Sequence, residues 1–74
     1  MRTNTEKFEF THGRKPRGHG LWALSLTGTD GNGSYTKQEY RVSGNLTEAK
    51  KQACRRFKNE VGGVKSIVEV TVLP

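Results

Sequence analysis

Leu21-Trp22-Ala23-Leu24-Ser25-Leu26-Thr27, then Gly28-Thr29-Asp30-Gly31-Asn32-Gly33, then a run from Ser34 to Ser43, is the stretch that decides the fold. Trp22, Leu24 and Leu26 alternate with Ala23, Ser25 and Thr27, which is the period of a strand with one buried face. The glycine-rich link holds both Asp-Gly and Asn-Gly, the strongest short-range signal for a hairpin. In the run that follows, Tyr40 and Val42 share a face with Thr36 and Gln38. Tyr35, Lys37, Glu39 and Arg41 take the other face.

Ser43-Gly44-Asn45 then turns the chain, and a helix is expected from about Thr47 to Val61. Thr47 and Asn45 are rival N-caps, the second with Glu48 three residues on. At 100° per residue, Leu46, Ala49, Ala53, Cys54, Phe57 and Val61 fall within roughly 140°, a core-facing stripe. Lys50 lies in the same arc and is expected to snorkel out. Gly62-Gly63 ends the helix. Val68, Val70 and Val72 alternate with Glu69 and Thr71, so a last strand is expected over Val64 to Leu73, either joining the sheet or extending as an arm. Upstream of the hairpin, Phe8 and Phe10 alternate with Lys7, Glu9 and Thr11 and read as a first strand. Residues 1–6 are polar and expected to be frayed. The expected fold is therefore α+β, in the order β-β-β-α-β, with one helix packed on one face of an antiparallel sheet. Its expected core is Phe8, Phe10, Trp22, Leu24, Leu26, Tyr40, Val42, Leu46, Ala53, Phe57, Val68 and Val70.

Seventy-four residues with 31% hydrophobic content make one small domain, 1–74, with no room for a catalytic unit beside a binding unit. The lone Cys54 cannot form an internal disulfide, no apolar run approaches the ~20 residues of a membrane span, and the first residues lack a signal-peptide core. Cytoplasmic residence is the expectation. Catalysis is not expected. His12 and His19 lie seven apart in a glycine-rich segment, with no zinc-ligand spacing. Cys54 sits at the edge of the apolar stripe and reads as a small hydrophobe. The carboxylates are scattered. Gly18-His19-Gly20 and Gly31-Asn32-Gly33 are too short for a phosphate-binding fingerprint, so no cofactor or metal is expected.

Charge is the informative feature. The chain carries 13 Lys and Arg against 7 Asp and Glu, a net charge of +6. The excess falls in two clusters. Arg14, Lys15 and Arg17 occupy an acid-free, Gly- and Pro-rich loop; Lys50, Lys51, Arg55, Arg56 and Lys58 crowd the helix. Clustered cations release counterions from a phosphate backbone, which favours DNA or RNA as partner. Lys51, Arg55 and Lys58 recur at i, i+4 and i+7, as a secondary basic stripe or as a solvated face whose cations suit a helix C-terminus. The sheet face turned away from the helix would expose Ser25, Thr27, Tyr35, Lys37 and Arg41. Such strands can lie in a major groove, although Glu39 in their midst fits an ordinary solvated face.

Arg17-Gly18-His19-Gly20-Leu21-Trp22-Ala23-Leu24-Ser25-Leu26, a glycine hairpin, Tyr40-Arg41-Val42, and Leu46-Thr47-Glu48-Ala49 opening a helix together resemble a three-stranded-sheet-plus-helix DNA-binding domain. That layout occurs in plant ethylene-response factors and at the amino-terminus of tyrosine-type phage and transposon integrases. The resemblance covers roughly residues 12–61. It implies a non-enzymatic nucleic-acid-binding protein of phage or mobile-element kind, with the open sheet face in the major groove, Arg17, Ser25, Lys37 and Arg41 as contacts and Trp22 as anchor. This chain departs from the layout by a strong fourth strand after the helix. The alternative is a protein-binding module or inhibitor that docks on a larger host protein, through an acidic surface of that partner or by sheet-edge pairing.

Overall fold

The computed structural model describes all of Met1–Pro74. Its elements run β1 (Arg2–Asn4), α1 (Glu6–His12), β2 (His19–Thr29), β3 (Tyr35–Asn45), α2 (Leu46–Glu60) and β4 (Ser66–Val72). The fold is α+β, with the four strands in the order β1-β4-β2-β3. β2 is antiparallel to both β3 and β4, and only β1 pairs in parallel, with β4.

The hairpin forms as its sequence dictates. β2 and β3 pair continuously from His19↔Asn45 to Thr29↔Tyr35. The Asp30 carboxylate accepts the backbone N–H groups of Asn32 at 2.7 Å and Ser34 at 3.2 Å, which fixes the turn. At the far end the Trp22 indole N–H donates to the Gly44 carbonyl at 2.8 Å. Asn45 is the N-cap of α2, its side-chain oxygen accepting from the Glu48 N–H at 2.8 Å, so Asn45 rather than Thr47 starts the helix. The helix ends at Glu60, with Val61 already extended.

Two expectations about the N-terminus are corrected. Phe8 and Phe10 lie on a helix, not a strand. The Asn4 side chain accepts the Glu6 N–H at 3.0 Å, the Thr5 hydroxyl donates to the Glu9 carboxylate at 2.6 Å, and Gly13 closes the turn at φ 68°. Two alternating aromatics are too short a pattern to outweigh these end signals. Phe8 packs into the core, 5.8 Å from the Trp22 ring centroid. Phe10, about 200° further round the helix, is 93% exposed. Residues 2–4 are not frayed: Arg2, Thr3 and Asn4 pair with Glu69, Val70 and Thr71. β4 joins the sheet and is an interior strand, not an arm.

A bulge corrects the pattern of β4. Thr27 opposes Glu69 but Gly28 opposes Ile67, so Val68 is the extra residue. The slip turns Ile67 into the core beside Val70 and Val72 and leaves Val68 37% exposed. Leu46, at the first position of α2, is only half-buried. The core lies between the sheet and both helices, on one face. From α2 it takes Ala49, Ala53 and Phe57, each fully buried. Two alanines bring the helix axis close to β2 and β3. Phe57 meets Tyr40 edge to face, with ring centroids 6.4 Å apart, and lies over Gly28, where any Cβ would stand 2.6 Å from its ring. The other face of the sheet carries no helix. No helix of the chain is long and apolar enough to cross a membrane.

Candidate nucleic-acid interface

The stripe that buries Ala49, Ala53 and Phe57 fixes where the cations of α2 point. One flank faces β3. There Arg56 lies over the Tyr40 ring, 4.8 Å from its centroid, and approaches Glu60 at 3.9 Å. The other flank faces β4 and β1, and here α2 does not close onto the sheet. A groove of about 600 Å³ remains, lined by Lys50, Lys51, Arg55, Lys58 and Lys65 with no carboxylate among its residues. Its apolar surface comes from Met1, Cys54 and Ile67. None of these five cations takes part in a salt bridge, since the two ion pairs of the molecule are Arg2–Glu69 and Arg56–Glu60. Lys50 does snorkel: its ammonium donates to the Thr3 hydroxyl at 3.1 Å, across the groove on β1.

The expected stripe of Lys51, Arg55 and Lys58 is thus brought together along one wall of this groove. Lys65 is the member that sequence reasoning missed. It lies outside every basic run, and the turn after α2 carries it back beside the helix. Cys54 is half-buried in the same place, its Sγ 3.8 Å from the Met1 Sδ. Burial pushes its thiol pKa up, against the smaller opposing pull of Lys58 and Lys50. That is the reverse of the activation a nucleophilic cysteine needs.

The loop cluster sits at the end of the sheet where β2 begins and β4 ends. Arg14 and Arg17 line a second hollow of about 280 Å³ with His12, His19, Trp22 and Leu73, again without an acidic side chain. Arg14 stacks on Phe8 at 5.6 Å from the ring centroid, and the Arg14 guanidinium donates to the Lys15 carbonyl at 3.5 Å. Lys15 itself is exposed.

The open sheet face is less uniform. Tyr35, Lys37 and Arg41 are exposed on β3 as expected, with Glu39 between the two cations. Ser25 is not exposed. It is 7% accessible, because it is a small residue on an interior strand with Glu39 on one side and Thr71 on the other. Arg2 on this face is paired with Glu69 at 3.8 Å. Acidic and basic groups therefore alternate here, whereas the α2 groove and the loop hollow are basic throughout. Compared with known proteins, the chain matches no family model, no curated protein and no solved structure.

Proposed function

We propose that the protein is a small basic nucleic-acid-binding domain that grips a phosphate backbone through the groove beside α2. The observation that carries this reading is the set of five unpaired cations, Lys50, Lys51, Arg55, Lys58 and Lys65, around one acid-free groove. Four of the five are lysines, compact charges on flexible stems that follow phosphates without the fixed fork by which arginine reads guanine. Binding is then set by backbone charge and tolerant of sequence. Arg14, Lys15 and Arg17 supply a second phosphate contact at the sheet end. Tyr35, Lys37 and Arg41 form the rival surface, on the opposite face.

The test is fluorescence anisotropy with a mixed-sequence duplex and with single-stranded RNA at two salt concentrations. The expected result is binding that weakens steeply with salt, with a slope of about 0.9 per phosphate contacted on duplex DNA. Lys51→Glu with Arg55→Glu is expected to weaken every sequence alike and to reduce the slope by about one per lost contact. Reversal of Arg14, Lys15 and Arg17 should act in the same way. If Arg41→Ala instead relaxes preference at one base position, the open sheet face is the reading surface. A wild-type protein that binds neither probe at low salt overturns the proposal. A second reading, docking on an acidic protein surface, is favoured by the exposed apolar side chains of Phe10, Leu21 and Tyr35. It predicts salt-sensitive binding to a protein and none to nucleic acid.

A further inference from the structure

β3 is the outer strand of the sheet and runs unpaired on one side over its whole length, Tyr35–Asn45. The ladder shows which of its backbone groups are free. The Ala23 and Thr29 carbonyls accept from Leu73 and Lys65 at 2.9 Å each, so the odd-numbered residues of β2 turn their backbone toward β4. The even-numbered ones turn toward β3, as the Asp30 N–H does to the Ser34 carbonyl at 3.2 Å. Antiparallel pairing alternates strictly. In β3 it is therefore Tyr35, Lys37, Glu39, Arg41 and Ser43 whose N–H and C=O groups point out of the sheet. The side chains of the same five residues are exposed on the open face.

Long edges are commonly protected by charge. Here the charges alternate in sign, and that makes some registers repulsive and others attractive. We infer that this edge pairs with β3 of a second copy, antiparallel, about a two-fold axis at Gln38. In that register Lys37 faces the partner's Glu39 and Tyr35 faces the partner's Arg41, each twice by symmetry. Four of the five outward residues are matched, Ser43 lying beyond the seam, with roughly eight backbone hydrogen bonds across it. Centring on Lys37, Glu39 or Arg41 places that charge opposite its own copy, which destabilises the pair. Centring on Tyr40 extends the seam into Gly44, whose φ of 126° departs from strand geometry. On the helix side a hollow of about 600 Å³ runs beside this edge, between Gln38–Arg41 and the Arg56, Glu60 and Val61 side chains. It leaves room for side chains of the second copy. The dimer carries one continuous eight-stranded sheet with both α2 helices on one face, and it does not depend on nucleic-acid binding.

Analytical ultracentrifugation of the purified chain tests the inference. Wild type is expected to dimerise at the concentrations used for NMR. Lys37→Glu and Glu39→Lys alone should each raise the dimer dissociation constant by about tenfold or more, since attraction becomes repulsion at two symmetric pairs. Mixing the two variants should restore association as a heterodimer, and so should the double swap in one chain. Circular dichroism checks that each variant folds. The register is tested by Gln38→Cys in a Cys54→Ala background. Two cysteines at a non-hydrogen-bonded site face each other at about 4.5 Å between Cα atoms, within disulfide range. A disulfide-linked dimer is expected there and not with Thr36→Cys. A monomeric wild type, a dimer indifferent to both charge reversals, or a dimer that Gln38→Cys fails to cross-link overturns the proposal.

Discussion

Replacing Gly28 by alanine sets two effects of opposite sign against each other, and the structure says which wins. Gly28 lies on β2 outside the left-handed region, so alanine fits its backbone and should stabilise by about 0.4–1 kcal/mol through the unfolded chain. The new methyl, however, would stand 2.6 Å from Phe57 Cε1 and 2.8 Å from Val64 Cγ1. Phe57 is fully buried and cannot swing into solvent. Contacts this short place the overpacking cost in the upper part of the usual ~1–3 kcal/mol, about 2–3 kcal/mol, so the net loss is about 1–2.5 kcal/mol. In a domain of this size that lowers Tm by about 5–15 °C, read by circular dichroism. The same geometry predicts coupling: Phe57→Leu should cost less in the Gly28→Ala background than in wild type, by at least about 0.5 kcal/mol. A Gly28→Ala variant that melts at or above wild type, or a pair of variants whose effects add, would refute the placement of α2 over the end of the hairpin.

Phe57→Ala should destabilise by about 3–5 kcal/mol, and a thermal melt it leaves unchanged would exclude helix-on-sheet packing. Removing residues 64–74 takes away β4, which pairs with both β1 and β2; the shortened chain is expected to lose its cooperative transition, and retaining one would mean that β2, β3 and α2 fold alone. Asp30 is held below the ordinary carboxylate pKa by the N–H groups of Asn32 and Ser34. Its folded pKa is depressed, so its contribution is complete above the ordinary value of 3.8 and is lost as pH falls through the lowered one. The stability gap between wild type and Asp30→Ala should be constant at neutral pH and narrow in acid, as chemical denaturation at several pH values would show; a gap that widens in acid contradicts the assignment.

The parts legible in the sequence are those whose signal is local and repeated. The hairpin carries alternation on both strands and a turn rich in Asp-Gly and Asn-Gly, and α2 shows its stripe over four turns. The N-terminal elements carry no such signal. β1 is three polar residues whose strand character comes from the free side of β4, and α1 is decided by Asn4, Thr5 and Gly13 rather than by Phe8 and Phe10. The bulge at Val68 is invisible because Val68, Val70 and Val72 alternate correctly as written, and only pairing with β2 reveals the slip. The candidate site divides in the same way. Lys51, Arg55 and Lys58 share a helix face by spacing alone, but Lys65 joins them through the tertiary path of the chain. Ser25 alternates as an exposed residue should, and its size beside Glu39 and Thr71 hides it.

The interior place of β4 has a consequence for how the molecule comes to exist. β4 is made after the other elements of the fold, yet β1, made before them, has no other partner in the sheet, and Arg2 must wait for Glu69. The β2–β3 hairpin and α2 can assemble early from neighbours in the chain. The sheet cannot close until synthesis has passed Val72. Contacts of such long sequence separation slow folding, and until they form, the β4-facing edge of β2 stays open, with Leu24 and Leu26 beside it. During that interval a nascent chain exposes the long edge of β2 as well as that of β3, whereas the finished sheet ends on that side in three-residue β1, and crowding of unfinished chains is then most hazardous. Expression at low temperature or low rate should therefore favour soluble product.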